Sequence, residues 1–172
     1  PQAFPDEWYT RANLGGHWGS ELKYAGYDGL VITGRAPRPA YLWIEDDCVE
    51  VRDAASVWGQ GLIQTQKTLQ GELGPDVRIV AIGPAGENLC RYAVLATGTE
   101  SAAGQGGFGA VMGSKNLKAI AVRGHGGVGV AQPAETLRRS RLLMKAILKR
   151  YGRGDEQQVE LPPDQRHSPC TY

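Results

Sequence analysis

Long apolar runs are absent from this 172-residue chain, and none approaches the roughly 20 residues that a membrane-crossing helix needs. No membrane span is therefore expected. Cysteine is scarce: Cys48, Cys90 and Cys170 make an odd, widely spaced set that argues against a disulfide framework and leaves at least one thiol free or bound to something. An excess of one charge is missing too. With 19 Lys and Arg against 18 Asp and Glu, interleaved through most of the chain, there is no field to steer a polyanion, so no nucleic-acid partner is expected. The opening PQAFPDEWYTRANLGG has no initiator Met, basic n-region or apolar h-region, so no signal peptide reads there and a cytoplasmic site is the default. Both that opening and the ending Cys170-Thr171-Tyr172 read as a chain entered and left partway, and a fragment is expected.

What is present in quantity is glycine. The 24 glycines cluster in loops between apolar runs without a fixed period, which excludes collagen-like and simple linker readings. A hydrophobic share of 41% with 22% charged residues suits one folded core with a trailing extension. Strands are expected at Gly29 to Arg35, Tyr41 to Glu45, Cys48 to Arg52, Val77 to Ile82, Arg91 to Ala96 and Leu117 to Val122. A helix is expected from an N-cap at Ser56 through about Leu73, where Gly74-Pro75 stops it. A second should start at Pro133 and run to about Tyr151, with Leu137, Arg141, Met144 and Leu148 on one side and a basic face opposite. The stretch from Gly152 to Pro163 reads as an exposed linker. Sets of strands with few helices fit an α+β sheet domain better than a doubly wound parallel fold.

The densest glycine run is AAGQGGFGAVMGSKNLKAI, Ala102 to Ile120. Its Gly104, Gly106 and Gly109 have the spacing of a dinucleotide fingerprint after the apolar run Tyr92 to Ala96, but no carboxylate stands near Arg123 to hold a ribose, and a further glycine interrupts the expected helix. NAD is disfavoured. Residues without a Cβ still take positive φ and let backbone N–H groups converge on an anion, of which phosphate is the foremost case. A second glycine loop, Asn13 to Gly19, lies early in the chain, and the two would clamp one phosphorylated cofactor from both sides. The alternative is that both are tight turns between strands.

Four strings occur in order: GGHWGSELKYAGYDGLVITGRA (Gly15 to Ala36), VEVRDAASVWG (Val49 to Gly59), AIGPAGENLCRYA (Ala81 to Ala93) and AAGQGGFGAVMGSKNLKAIAVRG (Ala102 to Gly124). Together they closely resemble the N-terminal domain of the aldehyde ferredoxin oxidoreductase family. The resemblance implies a sheet-rich α+β pterin-binding domain over residues 1–124, with 125–172 leading into a helical domain. It implies a tungstopterin cofactor, tungsten between two pterins with molybdenum also conceivable, and a Mg2+ shared by the pterin phosphates. Carried over, it makes the backbone carbonyls of Asn13 and Ala102 magnesium contacts and the Gly15 amide a pterin contact, with Gly16, Ser101, Gly104, Gln105 and Gly106 around the cofactor. Ser101 and Gln105 stand where the family pattern has Arg; they can hydrogen-bond a phosphate but bring no charge. Lys115 and Lys118 either compensate or are solvated, strand-flanking lysines.

Cys170 resembles the first ligand of the family's 4Fe-4S motif, although one thiolate cannot hold a cluster and the stretch from Gly124 to Cys170 is shorter than the family's. Cys48 and Cys90 read as small hydrophobes buried in apolar strands. The family's activity is oxidation of an aldehyde to a carboxylic acid, with electrons passed through the cluster to ferredoxin or an electron-transfer subunit, and a complex or oligomer is expected. This domain would supply positioning and electrostatics, with no catalytic base assigned; His17 either takes part in chemistry or simply packs. Two rivals stay open: a related enzyme acting on an aromatic acyl-CoA, and a non-catalytic structural or binding subunit.

Overall fold

The computed structural model describes residues 10–99 and 101–150. The chain divides into two units, Pro1–Val128 and Gly129–Tyr172. In the first, strand residues alternate between two apolar clusters. Tyr41, Trp43, Ile79, Ala81, Ala119 and Ala121 belong to one, while Ile44, Val80, Ile82, Ile120 and Val122 belong to the other. Period-two alternation with apolar residues on both sides means a sheet covered on both faces. Leu62, Leu69 and Leu73 of helix α2 (Leu62–Leu73) pack on the first cluster. On the other face lie Leu22 of α1 (Trp18–Tyr24) and Met112 of α4 (Phe108–Ser114).

The sheet is mixed and six-stranded: β1 (Ala40–Glu45), β2 (Cys48–Asp53), β3 (Arg78–Ala81), β4 (Leu95–Thr97), β5 (Ser101–Ala103) and β6 (Leu117–Arg123), in the order β2-β1-β6-β3-β4-β5. The β1–β6 pair is parallel and the other pairs are antiparallel. The short helix α3 (Pro84–Glu87) follows β3. This is the α+β architecture expected. In the β1–β6 ladder the register slips between Ala40↔Leu117 and Tyr41↔Ala119, so Lys118 is an extra residue in β6.

Several local expectations are corrected. Gly29 to Arg35 forms no strand: Leu30 and Ile32 rest on the core while Val31 is 94% exposed, an in-out pattern without ladder partners. Both sides of β1 are already taken, by β2 and β6. Helix α2 starts at Leu62 with Gly61 as N-cap, not at Ser56, because Ala54 to Gln60 are occupied by turns, with Gly59 at φ +86°. The strand expected over Arg91 to Ala96 begins only at Leu95; the Ala93 N–H is spent on Cys90 O. Cys90 is accordingly half-buried in a loop, and Cys48 is exposed on the edge strand β2, so neither is a buried core hydrophobe. Helix α4, within the run read as a glycine loop, and α1, which begins at the end of the Asn13 to Gly19 loop, are additions to the expected elements. In the second unit, α5 (Pro133–Arg150) starts at Pro133 as expected and has no buried residue.

Candidate functional site

The loop before α1 is seated by its apolar members. Leu14 and Trp18 pack on the core, and Trp18 Nε1 donates to Ile120 O at 3.0 Å. Asn13, Gly15, Gly16 and His17 are left exposed. The opposite wall is the β4–β5 hairpin and the turn after it, where Ala102, Gly104 and Gln105 are exposed and Ser101 and Gly106 half-buried. The two walls meet at two points. A Cβ on Gly15 would lie 2.9 Å from Ser101 Oγ, and one on Gly16, at φ +78°, would lie 3.2 Å from Thr97 Cγ2. A Cβ on Gly106, at φ +82°, would lie 2.7 Å from Thr10 Oγ1. Asn13 thus stands between Thr10 and Gly15, and Ala102 between Ser101 and Gly106, on facing stretches. At these places the missing Cβ lets the two walls come this close, with the Gly16 and Gly106 backbones at positive φ that glycine adopts freely.

The rest of the glycine run does something else. Gly107 takes φ +65°, and a Cβ there would lie 1.9 Å from Arg91 O; Gly109 would meet Val94 O at 2.7 Å, and Gly113 would meet Gly86 O at 1.9 Å. These three glycines let α4 press against α3 and the preceding loop. The run therefore splits after Gly106 into a site-facing part and a packing part.

The lysines offered as compensation lie elsewhere. Lys118 is wholly buried, paired with the buried Glu87 carboxylate, and donates to Gln60 O at 2.8 Å. Glu87 also accepts the Gly59 N–H. Lys118 is thus neither a phosphate ligand nor a solvated lysine, but the ammonium that ties the Gly59-Gln60 turn to α3. Lys115 is half-buried and donates to Gly34 O at 3.2 Å. Cys170 lies outside the described residues. Among the described residues no group of three His, Cys, Asp or Glu is disposed to hold a metal.

Beside the cradle opens a cleft of about 380 Å³, lined by Gly16, Thr97 and Ser101 on one side and by α2 and β3 on the other. Ile63, Gln66, Lys67 and Gln70 form a stripe at i, i+3, i+4, i+7 spacing along α2. Gln66 fixes the hairpin turn: its Oε1 accepts the Gly98 N–H at 2.6 Å and its Nε2 donates to Gly98 O at 3.4 Å. Arg78 reaches into the cleft from β3, and its Nε is buried without a hydrogen-bond partner. The sequence signal for this cleft was the polar stripe inside an otherwise ordinary helix.

A model of the aldehyde ferredoxin oxidoreductase N-terminal domain matches residues 5–124. The chain belongs to the aldehyde ferredoxin oxidoreductase family. It is 51% identical over 123 residues to the tungsten-containing aldehyde ferredoxin oxidoreductase of Pyrococcus furiosus, covering 71% of this chain and 20% of that protein. It is 55% identical over 121 residues to the enzyme of the same name from Pyrococcus abyssi, again over 20% of that protein. The WOR-like subunit of an aliphatic sulfonate oxidoreductase from Pyrococcus furiosus is 46% identical over 126 residues, 66% of this chain and 20% of that subunit. Among solved structures, the active-site complex BamBC of benzoyl coenzyme A reductase with 1,5-dienoyl-CoA superposes with a TM-score of 0.79 at 43% identity, over 82% of this chain and 22% of that one. This member of the aldehyde ferredoxin oxidoreductase family thus spans about one fifth of the length of the curated relatives it matches.

Proposed function

We propose that this chain is the pterin-binding part of a tungsten-pterin oxidoreductase that converts an aldehyde to a carboxylic acid. The observation that carries the reading is the cradle in which Gly15 and Gly16 close on Ser101 and Thr97, leaving Asn13 and Ala102 exposed on facing stretches. When bound, the tungstopterin would supply two-electron redox chemistry, and a 4Fe-4S cluster would pass the electrons on to ferredoxin. This chain's residues bind and orient. The Asn13 and Ala102 carbonyls offer oxygen ligands to Mg2+, a hard cation. The Gly15 amide, with Gly16, Gly104 and Gly106, lets the pterin come close to backbone, and Ser101 and Gln105 offer neutral hydrogen bonds. Cys170 would begin the cluster's ligand set. Residues 1–124 form the pterin-binding domain, and 125–172 lead into a helical one.

Metal and pterin analysis of the native protein purified with its partners tests this. Tungsten or molybdenum together with pterin is expected, and their absence from the intact complex overturns the reading in favour of a non-catalytic subunit. Gly15→Val and Ala102→Glu should each block cofactor loading, and normal pterin content in both would show the cradle to be misassigned. The similarity to the BamBC active-site complex supports a second reading, reduction of an aromatic acyl-CoA on the same base. Parallel assays for aldehyde oxidation and for acyl-CoA reduction separate the two.

A further inference from the structure

The cleft beside the cradle has features that the cradle does not need. Arg78 and Lys67 enter it from separate elements, β3 and α2, while Ser101 and Thr99 add hydroxyls from the hairpin, and no acidic side chain is among its described lining residues. Neither cation makes an ion pair among the described residues. The second observation is independent of that charge count: Arg78 Nε is buried with no partner. The chain's own described acceptors thus leave that guanidinium N–H unused. The matching group has several acceptor oxygens and negative charge, because a planar fork and a point ammonium together suit a tetrahedral oxyanion. Ile63, Val77 and Ile79 add apolar surface to the same cleft.

We infer that this cleft is a phosphate-binding subsite in which Arg78 and Lys67 supply the charge and Ser101 and Thr99 the neutral hydrogen bonds. The phosphate is carried either by the pterin cofactor proposed above, reaching past Ser101, or by a separate phosphorylated ligand. In the first case the inference rests on the proposed function and explains how an uncharged Ser101 is sufficient at the cradle's edge. Here the charge sits across the cleft instead.

The test is calorimetric titration of inorganic phosphate and pyrophosphate into the native protein, cofactor-loaded and cofactor-stripped, with Arg78→Gln, Arg78→Lys and Lys67→Gln variants. Losing a charge-assisted hydrogen bond should weaken phosphate binding about ten- to a hundredfold in Arg78→Gln and less in Lys67→Gln, with Arg78→Lys recovering part of the affinity. Lys67 is exposed, so its variant reports even if a change at half-buried Arg78 disturbs folding. If phosphate binds only the stripped protein and pterin content drops in Arg78→Gln, the cofactor carries the phosphate. If it binds loaded and stripped protein alike and pterin content holds, a separate ligand does. Unchanged phosphate affinity in Arg78→Gln and Lys67→Gln, or no binding at millimolar phosphate to either form, overturns the inference. Tungsten and pterin present alongside that result would leave the proposed function standing; their absence with Arg78-dependent binding would leave only the subsite.

Discussion

Gly104 and Gly107 are three positions apart in one glycine-rich run, yet their surroundings assign them opposite roles. Nothing stands closer than 3.8 Å to a Cβ on Gly104, whose backbone is in the right-handed region, whereas Gly107 combines φ +65° with a carbonyl 1.9 Å from where the Cβ would be. Gly104→Ala should change stability by no more than about 0.5 kcal/mol, while Gly107→Ala or Gly113→Ala should cost about 3 kcal/mol or more, measured by denaturant unfolding. Equal costs would refute the division of the run. Glu87 and Lys118 make a second residue-scale case, since both are buried and each satisfies the other. Lys118→Met alone should cost about 3–5 kcal/mol by leaving a buried carboxylate uncompensated, and Lys118→Met with Glu87→Leu should recover part of that in a double-mutant cycle. Additive costs would mean the two side chains do not depend on each other. The glycines of the candidate site and its neutral Ser101 and Gln105 are legible in the sequence. It did not reveal Lys118 as a core residue, because the ladder slip that buries it depends on how β6 pairs with β1.

Among the elements, the strands were the most legible, since Tyr41, Trp43, Ile79 and Ile44 alternate between two apolar clusters and alternation is visible in the sequence. Helix α4 was not. Phe108-Gly109-Ala110-Val111-Met112-Gly113-Ser114 has poor helix propensity, and its helix is held by glycine-to-carbonyl closeness with α3, a tertiary effect. The segment Gly29 to Arg35 differs from its expected strand for the complementary reason: strand propensity says nothing about whether a partner is free. Helix α5 is the element whose local electrostatics are simplest. Arg138 and then Arg139 hold the half-buried Glu135 carboxylate down at about 2, from an ordinary 4.5, by hydrogen bonds within its first turns. A depressed folded value means this pairing supports the helix above about pH 4.5 and is lost as the pH falls toward about 2. The Glu135 carboxyl resonance should therefore titrate near the low end of that window, move back up in Arg138→Gln, and be sensitive to salt. A wild-type midpoint at the ordinary glutamate value would rule the pairing out.

At the scale of the first unit, the sheet and its two helical layers hold two glycine-bearing walls against each other, and a group bound between them would act on both walls at once. A ligand that binds only the folded chain stabilises it by about 2.7 kcal/mol at a hundredfold excess over its Kd, enough to raise Tm by on the order of 10 °C in a domain of this size. If the proposed tungstopterin and Mg2+ bind between these walls, removing them should lower Tm by that order and speed amide exchange at residues 10–17 and 101–107, while β1 and β2, at the far end of the sheet, stay unchanged. Gly15→Ala and Gly107→Ala then separate binding from folding. The added methyl on Gly15 meets only the end of the Ser101 side chain, which can turn away, so the stripped protein should keep its Tm and lose the gain on loading. The methyl on Gly107 meets the Arg91 carbonyl, which cannot, so Tm should fall by a similar amount in loaded and stripped protein. If Gly15→Ala lowered Tm in the stripped protein as much as Gly107→Ala does, Gly15 would be a packing glycine like the others, and the cradle would lose its first wall.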